Sequence, residues 1–189
     1  MKLKEGQLAP DFTALDAYGN KIKLSDYKGK KIILGFYRNV ACPFCNRRIH
    51  SIMGNMVRLR NTGVKLVFMF ESTNEKLLKS VFHQGIVPWP LIGDPDKKLY
   101  TKYRVENSKM KMMRTMFSTN VMKAMKNAKE YNLPEDKDSS MDLIPADFFI
   151  DEKFRIVKAH YGKHLDDHVS LDELRSFAGL RNINRHRNL

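Results

Sequence analysis

Cysteine is nearly absent from this chain: two residues, Cys42 and Cys45, in 189. Two cysteines cannot build the disulfide lattice of a small secreted scaffold, and alone they cannot close a four-ligand zinc site. Long apolar runs are missing too, and none approaches the ~20 residues of a membrane span. The opening Met1-Lys2-Leu3-Lys4-Glu5-Gly6 lacks the apolar stretch of a secretory signal. The expectation is a soluble, cytoplasmic protein. Acidic residues are the other shortage. Against 34 Lys plus Arg stand 21 Asp plus Glu, a formal net charge of +13. From Lys28 to Phe70 there is no acid at all, and nine basic residues occur: Lys28, Lys30, Lys31, Arg38, Arg47, Arg48, Arg58, Arg60 and Lys65. Such an excess raises nucleic-acid binding as a function class. Both cysteines lie inside this stretch, however, so the positive field surrounds a chemically active pair. Nucleic acid is not the expected partner.

What is present fits one α/β domain. The hydrophobic fraction of 42% is ordinary for a globular chain of this length. Tyr18-Gly19-Asn20 separates Phe12–Leu15 from the alternating Lys21–Leu24. Lys30 to Tyr37 is nearly continuous and apolar, as in a central strand covered on both faces. A helix is expected from the cysteines to about Leu59, with Ile49, Ile52, Met53 and Met56 on one face and Gly63 beyond its end. Val64 to Phe70 is a second strand, expected parallel to the first. Ser72 and Glu75 have the spacing of a capping box for a helix ending near Gly85. Asp94-Pro95-Asp96 opens a helix toward Tyr103. Ala146–Ile150 and Arg155–His160 form an expected hairpin around Asp151-Glu152-Lys153. A last helix, Ser170 to Phe177, carries its own capping box, Ser170 and Glu173. The expected organisation is one domain over 1–180 with a Met-rich helical insert at about 106–135, then a basic tail, 181–189.

Cys42-Pro43-Phe44-Cys45 directly follows a buried strand and opens a helix. A C-x-x-C in that position reads as a thioredoxin-like redox motif. At a helix N-terminus, unpaired backbone N–H groups and the macrodipole favour an anion. The local cations act the same way, so the thiolate fraction of Cys42 rises. Pro43 suits the first helical turn, where its missing N–H removes nothing. Residues 42 and 45 share one helix face. Cys42, expected to be the accessible member, attacks; Cys45 then resolves the mixed disulfide. Arg38 stabilises the thiolate or the substrate, unless a salt bridge uses it as scaffold. Two structural cysteines, or half a zinc site completed by His50 and another His, are the competing readings of the pair.

Other residues allow more than one role. His164 and His168 have metal-binding spacing on a helix, although surface histidines are the simpler reading. Trp89 fits core packing or a substrate groove. Met110, Met112, Met113, Met116, Met122 and Met125 fit helix core, a soft peptide-binding surface, or a Cu(I) site.

Four separated segments carry a resemblance. They are Ala9-Pro10-Asp11-Phe12, then Phe36-Tyr37-Arg38-Asn39-Val40-Ala41-Cys42-Pro43-Phe44-Cys45-Asn46, then Pro90-Leu91-Ile92-Gly93-Asp94-Pro95-Asp96, and Ile144-Pro145-Ala146-Asp147-Phe148-Phe149-Ile150-Asp151. In this order they resemble the thioredoxin-like AhpC/TSA group, and within it the peroxiredoxin-like proteins with a C-x-x-C. The resemblance spans residues 7 to about 177 and leaves the Met-rich insert unmatched. It implies a thioredoxin-like sheet flanked by helices. It also implies a cis bond at Ile144–Pro145, with Pro145 facing the cysteines and shaping the substrate groove. On the family pattern P-x-x-x-T-x-x-C, Cys45 takes the peroxide-attacking position, Cys42 the threonine position and Arg38 the proline position. The family's second arginine has no counterpart beside Pro145-Ala146.

The resemblance therefore implies an antioxidant redox enzyme that cycles a dithiol and reduces disulfides. A hydroperoxide-reducing thiol peroxidase acting through Cys45 is the alternative. No cofactor or metal is expected. Electrons would come from a thioredoxin or a low-molecular-weight thiol, and go to a protein disulfide or a hydroperoxide. From another class, a non-catalytic module binding through the basic, Met-rich surface also fits.

Overall fold

The structure, a computed structural model, describes residues 1–80, 89–116 and 140–180. A small hairpin comes first: β1 (Thr13–Leu15) pairs antiparallel with β2 (Lys21–Lys23), followed by a 3-10 turn at Leu24–Tyr27. Then come β3 (Ile32–Tyr37), α1 (Pro43–Met53), α2 (Met56–Asn61), β4 (Lys65–Phe70) and α3 (Asn74–Lys79). After them follow β5 (Leu91–Gly93), α4 (Lys98–Lys102), α5 (Lys109–Met116), β6 (Ala146–Ile150), β7 (Ile156–Tyr161) and α6 (Leu171–Phe177). The main sheet has the order β5-β4-β3-β6-β7. β3 runs parallel to β4 and antiparallel to β6, so the sheet is mixed and β3 is its centre. All six β3 residues are buried, as the continuous apolar run requires.

The sheet divides the core in two. Ile33, Tyr37, Leu66, Phe68, Phe70 and Phe149 face a layer that includes Ile49 and Ile52 of α1 and Leu174 of α6. Ile32, Leu34, Phe36, Val67, Met69 and Phe148 face Phe12, Leu24, Tyr100 and Tyr103 on the other side. Each strand supplies both layers because side chains alternate. Gly35 is required at its position: a Cβ there would lie 2.6 Å from the Tyr37 ring, which folds back along its own strand.

Two local expectations are revised. The helix after the cysteines is two helices, broken at Gly54-Asn55; Gly63, at φ +76°, does follow the second, as a C-terminal glycine should. Thr73, not Ser72, caps α3 by accepting from the Lys76 N–H at 3.3 Å. The Ser72 hydroxyl is taken by the Val40 N–H of the cysteine loop at 3.0 Å. The stretch from residue 81 toward Gly85 lies outside the described residues. In the proposed insert, 106–116 are tied to the domain. Ile144 N–H donates to the Glu106 carbonyl, Ser108 N–H to Asp142, and Lys111 Nζ to Gly162. Met112 packs against the core, while Met110 and Met113 are exposed. The rest of the insert, with Met122 and Met125, and the 181–189 tail lie outside the described residues. Trp89 is core, 3% exposed and near Phe68.

Candidate active site

The cysteines sit where β3 ends and α1 begins, at the same end of the sheet as the start of β6. Cys42 is the N-cap of α1: its backbone is extended (φ −73°, ψ 114°) and its Sγ accepts from the Cys45 N–H at 3.3 Å. A sulfur thus does what a Ser or Asp oxygen usually does at a helix start. Pro43 occupies the first helical position. The loop is held from inside by Asn46, fully buried, whose Nδ2 donates to the carbonyls of Val40 and Cys42, both at 2.8 Å. Nothing in the C-x-x-C spacing announces that role.

The two sulfurs are 2.8 Å apart, with the Cys45 S–H donating to Cys42. Both cysteines are free thiols in this structure. Arg38 meets both sulfurs. Its backbone N–H donates to Cys45 Sγ at 3.4 Å, and its guanidinium reaches Cys42 Sγ at 3.8 Å and the Ser140 carbonyl at 3.4 Å. Burial pushes the Cys42 thiol up. The Cys45 S–H, the Arg38 charge and the backbone N–H groups of Cys45 and Phe44 outweigh it and bring Cys42 down to about 7. Burial, together with the adjacent Cys42, pushes Cys45 well above the ordinary thiol range. One thiol is therefore poised as thiolate and the other is held protonated, donating to it.

Two expectations are corrected here. Cys42 is not the exposed member: it is 2% exposed and Cys45 0%, because both are packed in the layer that holds Val40, Phe44 and Ile144. Nor do nine cations act together. Arg38 supplies the charge at Cys42, whereas Arg47 pairs with Asp166 and Arg48 bonds the Tyr37 hydroxyl near Asp147. The acids absent from residues 28–70 arrive from distant segments.

Pro145 is buried and immediately precedes β6. Ala146 is level with Phe36 in the antiparallel register, which puts Pro145 level with Tyr37, where the chain leaves for the cysteines. His168, read as a surface residue, has a buried side chain instead: its Nδ1 lies 3.0 Å from the Asp147 carboxylate and its ring 4.9 Å from that of Tyr37. An Asp inside an otherwise apolar strand was the available signal for a buried partner. His164 does not join that pair; its Nδ1 accepts from the Asp166 N–H. Among the described residues, no three His, Cys, Asp or Glu side chains gather as a metal-ligand group, and no helix is long and apolar enough to cross a membrane.

Comparison with known proteins agrees with this geometry. The profile of the AhpC/TSA family matches residues 6–159. A protein of Mycobacterium tuberculosis whose name reads putative peroxiredoxin is 27% identical over 169 residues, covering 89% of this chain and 92% of that protein. The peroxiredoxin Bcp of Escherichia coli is 26% identical over 113 residues, 60% of this chain and 72% of its own. In fold, the chain is similar to the yeast mitochondrial 1-Cys peroxiredoxin, with a TM-score of 0.63 at 18% identity over 91% of this chain and 73% of that one. With the family profile spanning most of its length and a dithiol built at the head of α1, this protein belongs to the AhpC/TSA family and is a cysteine-based antioxidant redox enzyme on a thioredoxin-like fold.

Proposed function

We propose that the protein is a dithiol–disulfide oxidoreductase in which Cys42 attacks and Cys45 resolves. The observation that carries this is the geometry of the pair: Cys42 Sγ caps α1, accepts from the Cys45 N–H at 3.3 Å and from the Cys45 S–H, and has the Arg38 guanidinium 3.8 Å away, which draws its thiol down, while burial beside Cys42 pushes Cys45 up. The attacking species in exchange is the thiolate. Cys42 thiolate attacks one sulfur of a substrate disulfide; that S–S bond breaks, and the leaving thiolate takes a proton. Cys45 then gives up its proton and attacks Cys42. The second substrate thiol leaves, and Cys42 and Cys45 are joined. Two electrons from an external dithiol or two low-molecular-weight thiols restore the starting state. Glutathione and thioredoxin systems serve the yeast 1-Cys peroxiredoxin, and either class fits here. A reducing cytoplasm suits a pair that must return to the dithiol. Arg38 holds the thiolate, Pro43 fixes the helix start and Pro145 borders the substrate groove.

The burial of both sulfurs favours a second reading, a thiol peroxidase, because a small hydroperoxide needs less opening than a protein disulfide. On the family pattern the attacking residue would be Cys45. Its fully buried, protonated thiol argues against that assignment.

Single mutants separate the readings. After a disulfide substrate, Cys45→Ser traps a mixed disulfide on Cys42, and Cys42→Ser is inert. Mass spectrometry after dilute peroxide gives the opposite arm. Fast stoichiometric sulfenic acid at Cys45 in Cys42→Ser, with nothing trapped on Cys42 in Cys45→Ser, overturns the choice of nucleophile. Retention of partner binding but no turnover by the wild type would identify a binding module.

A further inference from the structure

Lys97 is a lysine in a left-handed backbone conformation, φ 55° and ψ 31°. That region suits glycine and strains a residue with a Cβ. The strain is held by regular bonds: Lys97 N–H donates to the Asp94 carbonyl and the Lys97 carbonyl accepts from Thr101 N–H, both at 2.9 Å. A lysine kept where glycine fits better is explained by what its side chain does. Its Nζ donates to Ser140 Oγ at 2.6 Å and lies 3.8 Å from a carboxylate oxygen of Glu71, whose side chain is 3% exposed. The Ser140 carbonyl in turn accepts from the Arg38 guanidinium, which rests on Cys42 Sγ. Glu71 completes the circuit. Its N–H donates to the Arg38 carbonyl at 2.8 Å, and one carboxylate oxygen accepts from Asn39 Nδ2 at 3.5 Å.

Three segments distant in sequence therefore meet at one ammonium group: the end of β4, the start of α4 and the chain entering β6. We propose that Lys97 is a positioning residue for the redox reaction, fixing Ser140 so that its carbonyl holds the Arg38 guanidinium against the Cys42 thiolate. The proposal rests on Cys42 being the attacking thiol. The groups facing Cys42 are the Cys45 S–H, the Arg38 guanidinium and the backbone N–H groups of Cys45 and Phe44. Arg38 is the one of these whose side chain Lys97 and Ser140 can move. A guanidinium released from Ser140 samples other rotamers, and the thiolate loses its nearest charge.

The test is the pH profile of iodoacetamide alkylation at Cys42 in the reduced protein, read by mass spectrometry, with thermal melting alongside. Lys97→Met removes the ammonium and keeps the strain; Lys97→Gly removes both, and melting reports how far the strain relief offsets the lost ion pair to Glu71. Ser140→Ala leaves every charge in place and removes only the Oγ that Lys97 grips. All three raise the Cys42 midpoint by about half a pH unit and slow alkylation at pH 6 about threefold. Lys97→Arg restores most of the shift. A shift in Ser140→Ala reports position and not field. A low wild-type midpoint left unchanged in Lys97→Gly and Ser140→Ala overturns the clamp alone. A wild-type midpoint at the free thiol value overturns the nucleophile assignment and the clamp with it.

Discussion

The two faces of the sheet solve different problems. On the face toward Tyr100 and Tyr103, rings meet edge to face: Phe36 with Tyr100 at 5.1 Å and 78°, Phe36 with Phe148 at 5.7 Å and 82°. Tyrosine hydroxyls buried there reach backbone carbonyls at Tyr37, Met69 and Pro10, and the buried Asp94 carboxylate accepts from the Leu99 and Tyr100 N–H groups at 2.7 and 3.4 Å. On the face toward α1 and α6, the same strands bury Asp147, against His168, together with both cysteines. Tyr37 lies flat on Phe70 at 5.0 Å, beside His168. The first face meets its buried polar atoms with backbone groups; the second pairs ionisable side chains with one another away from water. A buried charge is tolerated only where a partner meets it. The lesson is that one strand, β6, serves both: Phe148 points one way and Asp147 the other.

Cutting into the aromatic face should have the largest effect on folding. Phe148→Ala removes a fully buried ring and costs about 3–5 kcal/mol by urea unfolding. The Cys42 alkylation midpoint of the folded fraction stays where it was. A moved midpoint would mean that the faces are not independent.

On the other face, Asp147→Ala leaves the buried His168 and the Val169 N–H without their acceptor. Breaking such a pair from one side costs about 3–5 kcal/mol where both groups are desolvated. Burial alone would raise the Asp147 carboxyl, but His168, Arg48 and the Val169 N–H outweigh it and hold it below the usual carboxylate value of 3.8. With the folded value depressed, its stabilisation is present above the ordinary carboxylate range and is lost as pH falls through the depressed value. Asp147→Asn should therefore flatten the acid limb of the stability curve. An unchanged acid limb would assign acid sensitivity elsewhere.

A smaller change sharpens the contrast from the site itself. Arg38→Met should raise the Cys42 midpoint by about one pH unit, cutting thiolate about tenfold at pH 6. Stability should respond with the sign that a depressed thiol requires. The Cys42 contribution is complete above the ordinary thiol value of 9.0 and disappears as pH falls through about 7. In Arg38→Met that slope becomes shallower, as melting between pH 6 and 9 would record.

The smallest effect belongs to a feature outside both faces. Ser170 accepts from the Glu173 N–H at 3.1 Å, and Glu173 reaches back to Ser170. Ser170→Ala should cost about 1 kcal/mol, with alkylation untouched. A loss of several kcal/mol would tie α6 more closely to the polar face than this contact does.

Short-range geometry made much of this readable in the sequence. A helix places residues three apart on one face, so Cys42 and Cys45 had to meet once the strand ended and Pro43 began a helix. The same rule made Ser170 and Glu173 a capping box. Continuous apolar residues marked β3 and β4, because a strand buried on both faces has no polar side. Tertiary structure decided the rest, for a physical reason: charge and burial act through space. Nine cations surround the cysteines in sequence, but only folding could choose Arg38 for Cys42 and turn Arg47 to Asp166. Sequence placed Cys42 at a helix start, and packing made it as dry as Cys45. Ser72 looked like a cap until the cysteine loop claimed its hydroxyl. Asp147 and His168, Lys97 and Ser140 are pairs that the sheet register and the chain's return to it bring together, at separations no local pattern encodes.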